Sequence, residues 1–158
     1  MRLQALTTLF LFSAIGYAFD KAALLESYRA IQADLAYDRY SHVRAGATRL
    51  VPALDQWIAE APTGEDTPNV TKMREGAVLL SETSEEAEQR RRFSILAEGA
   101  LRIIKRDTVI SRDWQLYKCT MVDYFPYWSQ PKAEKMANPY MGTQMLQCGV
   151  KKAWTALP

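Results

Sequence analysis

From Asp20 onward, apolar side chains recur every three or four positions, the spacing that lines one face of an α-helix. Asp20 is placed to cap a first helix carrying Leu24, Tyr28, Ile31 and Leu35 on one side. Ser41 stands where a cap for a second helix belongs. That helix would turn Val43, Ala47, Leu50, Leu54, Trp57 or Ile58, and Ala61 inward. Pro52 lies inside it and predicts a kink, because proline lacks a backbone donor and crowds the preceding turn. Residues 62–69, PTGEDTPN, read as a loop, and a shorter third helix follows with Met73, Ala77 and Leu80 on one side. Thr83 and Glu86 have capping-box spacing at the start of a fourth helix. Its buried side is Phe93, Leu96, Ala97, Ala100, Leu101 and Ile104, and Lys105 and Arg106 suit its negative end. The pairs Glu86–Arg90 and Glu88–Arg92 have the acid-first spacing that contributes about 0.2–0.5 kcal/mol each. The charged block around them therefore reads as a solvated helix face.

The period changes after residue 107. The run DWQLYKCTMVDYF is rich in aromatic and β-prone residues. If extended, it would send Trp114, Leu116, Lys118 and Thr120 to one face, and Gln115, Tyr117, Cys119 and Met121 to the other. A short helix is expected at 131–137, a turn at NPY, and a helical turn or two over 140–147 closed by Gly149. The fold expected is all-α: an antiparallel four-helix-type bundle with an irregular, Cys/Met-bearing C-terminal segment that has room for a short strand. Residues 19–158 are expected to form a single domain.

The residues ahead of this pattern suggest a compartment. Met1-Arg2, an apolar run from Leu3 to Ile15, and small Gly16 and Ala18 around Tyr17 read as a secretory signal, residues 1–18, cleaved before Phe19. The run is shorter than the ~20 residues that cross a bilayer, so no membrane span is expected after cleavage. The chain is thus read as exported, periplasmic or secreted, in a compartment where disulfides persist. A formal charge of +2 and the lack of a basic run argue against a nucleic-acid partner. The single histidine, with no Gly-rich phosphate loop, paired-His zinc motif or nucleophile elbow, argues against an enzyme.

The chemistry that remains is sulfur. Cys119 and Met121 lie in one segment, and Met145 and Cys148 in another, with Met141 four residues before Met145. Thiolate and thioether ligands select Cu(I) and similar soft ions. Met145 and Cys148 are three apart, so one helical turn would aim both the same way. His42 is the one imidazole that could join them. The competing reading uses the same atoms: a Cys119–Cys148 disulfide, worth roughly 3–4 kcal/mol by chain-entropy reasoning, would consume the thiolates. A redox-switched site would satisfy both. Tyr124, Tyr127, Trp128 and Tyr140 could line a groove for a small molecule, or pack the irregular segment onto the helices.

The segments CTM and NPYMGTQMLQCG resemble a pattern of Cys-Pro-Met, then Asn-Pro-Tyr-aromatic-Gly, then Met and Cys-Gly. That pattern marks a family of exported helical domains of unknown function. They occur alone or fused to periplasmic adaptor subunits of copper/silver (CusB-like) heavy-metal efflux systems. The likeness covers most of the chain after the signal and is specific over residues 117–149. Thr120 stands where proline is usual, and Met141 where an aromatic is usual. The resemblance implies a periplasmic domain without enzymatic activity, associated with copper or a related soft metal. Its implied partner is an envelope protein or a heavy-metal efflux component. The alternatives left open are a disulfide-stapled interaction domain and an aromatic small-molecule binder.

Overall fold

The helical periods become five α-helices: α1 (Lys21–Ala36), α2 (Tyr40–Glu60), α3 (Thr67–Glu82), α4 (Glu86–Arg106) and the short α5 (Thr108–Asp113). The structure is a computed structural model that describes residues 20–158; the signal expected at 1–18 lies outside the described residues. Asp20 caps α1 as its position suggests, its carboxylate accepting from the amides of Ala22 (2.9 Å) and Ala23 (3.3 Å). The other two caps differ from expectation. α2 begins one residue before Ser41, with Arg39 at the capping position and no side-chain bond there. Thr83 ends α3, and its hydroxyl accepts from the Glu85 amide (3.2 Å) instead of capping α4. α2 runs on through Pro52, whose ring lies on the solvent side.

The apolar stripes meet as the spacing requires. α1 packs on α2, α2 on α3, α3 on α4, and α4 back on α1, which gives bundle-like packing. Leu35, Val43, Leu54, Met73, Leu80, Phe93, Leu96 and Leu101 are all fully buried. Each such side chain contributes about 1.5–3 kcal/mol relative to exposure. Among the described residues, no helix is long and apolar enough to cross a membrane.

The all-α expectation fails at the C-terminal end. β1 (Trp114–Lys118), β2 (Tyr127–Pro131) and β3 (Val150–Lys152) form an antiparallel sheet in the order β2-β1-β3. Aromatic pairing accounts for much of this. Tyr117 lies directly opposite Trp128, and their rings stack at 5.2 Å, a cross-strand contact a helix could not make. No helix forms at 131–137. The buried Gln130 side chain takes over the local backbone groups instead: its Oε1 accepts from the Ala137 amide (3.0 Å) and its Nε2 donates to the Lys135 carbonyl (2.8 Å). Over 140–147 only a 3-10 turn forms, at Gly142–Met145, and the positive φ falls at Gly142 (62°), not Gly149.

One continuous core joins helices and sheet. Tyr28 of α1 stacks on Phe93 of α4 (5.8 Å), Phe93 meets Tyr140 (5.8 Å), and Tyr140 meets Trp128 edge-on (6.1 Å). The Tyr28 hydroxyl donates to the Ser129 carbonyl (3.2 Å) and accepts from the Ser129 amide (3.0 Å), tying α1 to β2. Burial pushes this phenol far above its ordinary pKa, so it stays protonated and able to donate. Tyr28→Phe removes the partner of both the backbone N–H and the carbonyl of buried Ser129. It is expected to cost about 1–3 kcal/mol in urea unfolding, without changing the denaturant slope.

Candidate functional site

β1 and β3 bring the two sulfur-bearing segments side by side. The ladder ends at the pair Lys118–Val150, with Cys119 following Lys118 and Cys148 two residues before Val150. The Cys119 amide donates to the Pro126 carbonyl (2.9 Å), which closes the bend between β1 and β2. The loop that carries Cys148 is built around Asn138, which is fully buried. Its amide donates to the Leu146 carbonyl (2.7 Å), its Oδ1 accepts from the Tyr140 amide (2.8 Å), and its Nδ2 donates to the Cys148 carbonyl. The Cys148 amide donates to the Met145 carbonyl (2.9 Å), making one tight turn between the two sulfurs. A side chain at Gly149 would meet the Trp128 ring (2.5 Å) and Met136 Sδ (3.1 Å). The glycine thus lets the backbone lie against the indole, and it marks where Met136 points. The motif residues Asn138, Tyr140, Gly142 and Gly149 are therefore architectural: they shape the loop that presents the sulfurs.

The predicted ligands do not form one flat face. Cys119 is fully buried, whereas Met121 is 60% exposed. The strand ends at Lys118 and the chain bends, so the alternation that would have set the two side by side stops short of Met121. Met145 is 40% exposed, and Cys148 is half-buried. Both cysteines are free thiols, and the expected Cys119–Cys148 staple is not formed. Cys119 ends in the core near Tyr124 and Tyr140, while Cys148 sits in the turn before β3. His42 projects to solvent from the first turn of α2, its Nδ1 3.8 Å from Asp34. Met141 lines a cleft beside Arg90. Met136 is the sulfur that sequence spacing overlooked; the expected helix at 131–137 hid its position against Gly149.

The aromatic set serves packing. Trp128 and Tyr140 are core residues, and the Tyr140 hydroxyl donates to the Tyr127 carbonyl (2.8 Å). Tyr124 and Tyr127 are half-buried, with Arg91 over the first ring (5.1 Å) and Lys118 over the second (5.5 Å). Burial raises the Tyr140 pKa well above the usual phenol range, and Tyr28, Tyr124 and Cys119 nearby push it further.

A polar latch holds this segment to the helices. Asp38, in the turn between α1 and α2, adopts a left-handed backbone (φ 57°). Its Oδ1 meets Arg90 Nη2 (2.5 Å) and accepts from the Tyr40 hydroxyl (3.2 Å). Its Oδ2 accepts from the Thr143 amide (3.1 Å) and from the Thr143 hydroxyl. Arg90 Nη1 donates to the carbonyls of Leu35 (3.1 Å) and Pro139. Arg90 therefore turns inward, and of the two expected helix-surface pairs only Glu88–Arg92 forms (3.2 Å). Asp38, Tyr40, Glu86, Arg90, Met141 and Thr143 border a cleft of 590 Å³. The latch already uses the charges of Asp38 and Arg90 against each other, so this cleft offers little to a ligand.

Among the described residues, no group of three or more His, Cys, Asp or Glu side chains is arranged to hold a metal ion. Comparison with known proteins finds no matching family model, no matching curated protein and no matching solved structure, so the functional reading rests on the sulfur corner itself.

Proposed function

We propose that this chain is an exported, non-enzymatic domain of the cell envelope that binds Cu(I) or a related soft ion through thiol and thioether sulfur. The observation that carries this reading is Met136 Sδ against Gly149, the residue after Cys148 and the one before the Val150–Lys118 pair that Cys119 follows in sequence. Two thiolates and a thioether suit a soft monovalent ion. The half-buried Cys148 gives the ion an entry, and Met145, one turn before it and solvent-exposed, is the first sulfur it would meet. Met121, more exposed still, is an outer contact at most. The domain would work alone or beside a heavy-metal efflux component, as the sequence resemblance implies.

The test is a competition titration of the reduced protein against a chromogenic Cu(I) chelator. One ion per chain is expected. Cys148→Ser and Met136→Leu should each weaken binding by at least about tenfold, or 1.4 kcal/mol. Met121→Leu should change it by less than about threefold. Equal affinities for wild type and the Cys148→Ser variant would end the proposal. An intact mass beginning at Phe19 in protein recovered from a bacterial periplasm would support export.

A second reading, docking to an envelope partner, is favoured by the exposure of Met121 (60%), Met145 (40%) and Val150 (45%) around the same strand ends. Met121→Glu with Val150→Glu would abolish such docking and leave copper affinity unchanged.

A further inference from the structure

β3 is an edge strand, and the hydrogen bonds of its neighbour fix which of its backbone groups face out. The Cys119 amide donates to the Pro126 carbonyl and the Lys132 amide to the Asp113 carbonyl (both 2.9 Å). Asp113, Gln115, Tyr117 and Cys119 therefore turn their backbone groups toward β2. Ser129, opposite Leu116, agrees: its N–H and C=O face away from β1 and meet the Tyr28 hydroxyl. Leu116 and Lys118 are then the residues that bond β3, through Lys152 and Val150. Lys151, opposite Tyr117, is left with its N–H and C=O turned outward from the sheet. Ala153 continues extended (φ −73°, ψ 152°). Its carbonyl accepts from the Ala156 amide (3.0 Å), and its N–H has no partner among the described residues.

An open edge is a template for any strand, so the side chains decide which one fits. Lys151 is exposed, and neither it nor Lys152 forms an ion pair among the described residues. Two copies of β3 paired antiparallel about Lys151 would set that lysine against its own copy, and like charges directly opposite are destabilising. The edge thus disfavours a second copy of this chain. A strand with acids opposite Lys151 and Lys152 has the favourable sign at both places. Val150, 45% exposed, suits an apolar residue opposite it.

We propose that the partner adds an extended acidic segment, acid-acid-apolar in its own chain direction, antiparallel to β3 at its free edge. This names the partner's chemistry and rests on the docking reading of the exposed Met121, Met145 and Val150 side chains. The two acids pair with Lys152 and Lys151, the apolar residue covers Val150, and the segment's backbone exchanges hydrogen bonds with both outward groups of Lys151. The direction follows from antiparallel ladders being slightly the more stable per residue.

The probe is an acetylated, amidated peptide, Thr-Thr-Glu-Glu-Val-Thr-Thr, titrated into the full exported chain labelled with nitrogen-15. Saturable shifts of the Lys151 and Ala153 amide signals are expected, with slowed hydrogen exchange at Lys151. Replacing the two acids by lysines should weaken binding by at least about tenfold, and so should N-methylation of the second glutamate, whose N–H would bond the Lys151 carbonyl. Lys151→Glu, an exposed change that keeps the β1–β3 ladder, should weaken the acidic peptide by at least about tenfold. Absence of saturable binding, equal affinity for the lysine or N-methylated peptide, or an unchanged affinity in Lys151→Glu would each overturn the proposal. Shifts confined to Met121 and Met145 would overturn it too, while leaving the docking reading in place.

Discussion

Arg90→Met is expected to lower the unfolding free energy by about 2–4 kcal/mol. The guanidinium holds Asp38, the Tyr40 hydroxyl (2.7 Å) and the carbonyls of Leu35 and Pro139 at once, and lies over the Tyr40 ring (5.3 Å). Methionine keeps the stem and removes every one of those bonds, leaving Asp38 and two carbonyls short of a donor. The range sits below that of a fully buried pair because the Arg90 and Asp38 side chains remain 13% and 30% exposed. Urea unfolding of the two proteins measures the difference. The same latch sets an acid dependence. Burial pushes the Asp38 carboxyl up, but bonds from Thr143, Tyr40 and Arg90 outweigh it and hold its pKa below the ordinary aspartate value. A depressed folded-state pKa gives stability that is present above the unfolded value, about 3.9, and lost as pH falls through the folded value. Asp38→Asn should therefore flatten the acid limb of the stability curve below about pH 4 while lowering stability at neutral pH.

Gly142→Ala is expected to cost about 2–4 kcal/mol and to loosen the sulfur loop with it. The residue has φ 62°, a region that costs an alanine about 1–2 kcal/mol. A Cβ there would also overlap the Asp38 carboxylate and the Arg90 guanidinium. Thr143 would be pulled off Asp38, and the 3-10 turn that carries Met145 would shift. Lower thermal stability together with weaker Cu(I) retention is the expected pair of readings. Combined with Arg90→Met, the costs should add to less than their sum, because both changes break the same latch.

The helices were legible because their signals are local. Leu24, Tyr28, Ile31 and Leu35 declare a face whatever they pack against, and Asp20 caps through residues two and three away. The sheet and the site were legible only in part, because their determinants are distant. Arg90 has a suitable acid four residues before it, and nothing nearby in sequence says that Asp38, 52 residues away, would take it instead. Residues 131–137 have helical composition, yet a buried Gln130 takes their backbone bonds. That misreading also hid Met136, whose neighbour Gly149 is remote in sequence. The NPY-x-G spacing announced a turn; that Asn138 bonds both ends of the loop, and that Gly142 clears space for the latch, emerges only once α1 and α4 are in place.

The proposed soft-ion site takes its sulfur from Cys119, Met136 and Cys148. X-ray absorption at the copper edge on the Cu(I)-loaded protein addresses it most directly. The expected result is a coordination shell of sulfur alone that loses a sulfur in Cys148→Ser and another in Met136→Leu. A shell dominated by nitrogen or oxygen, or copper that leaves the protein on gel filtration, would contradict it.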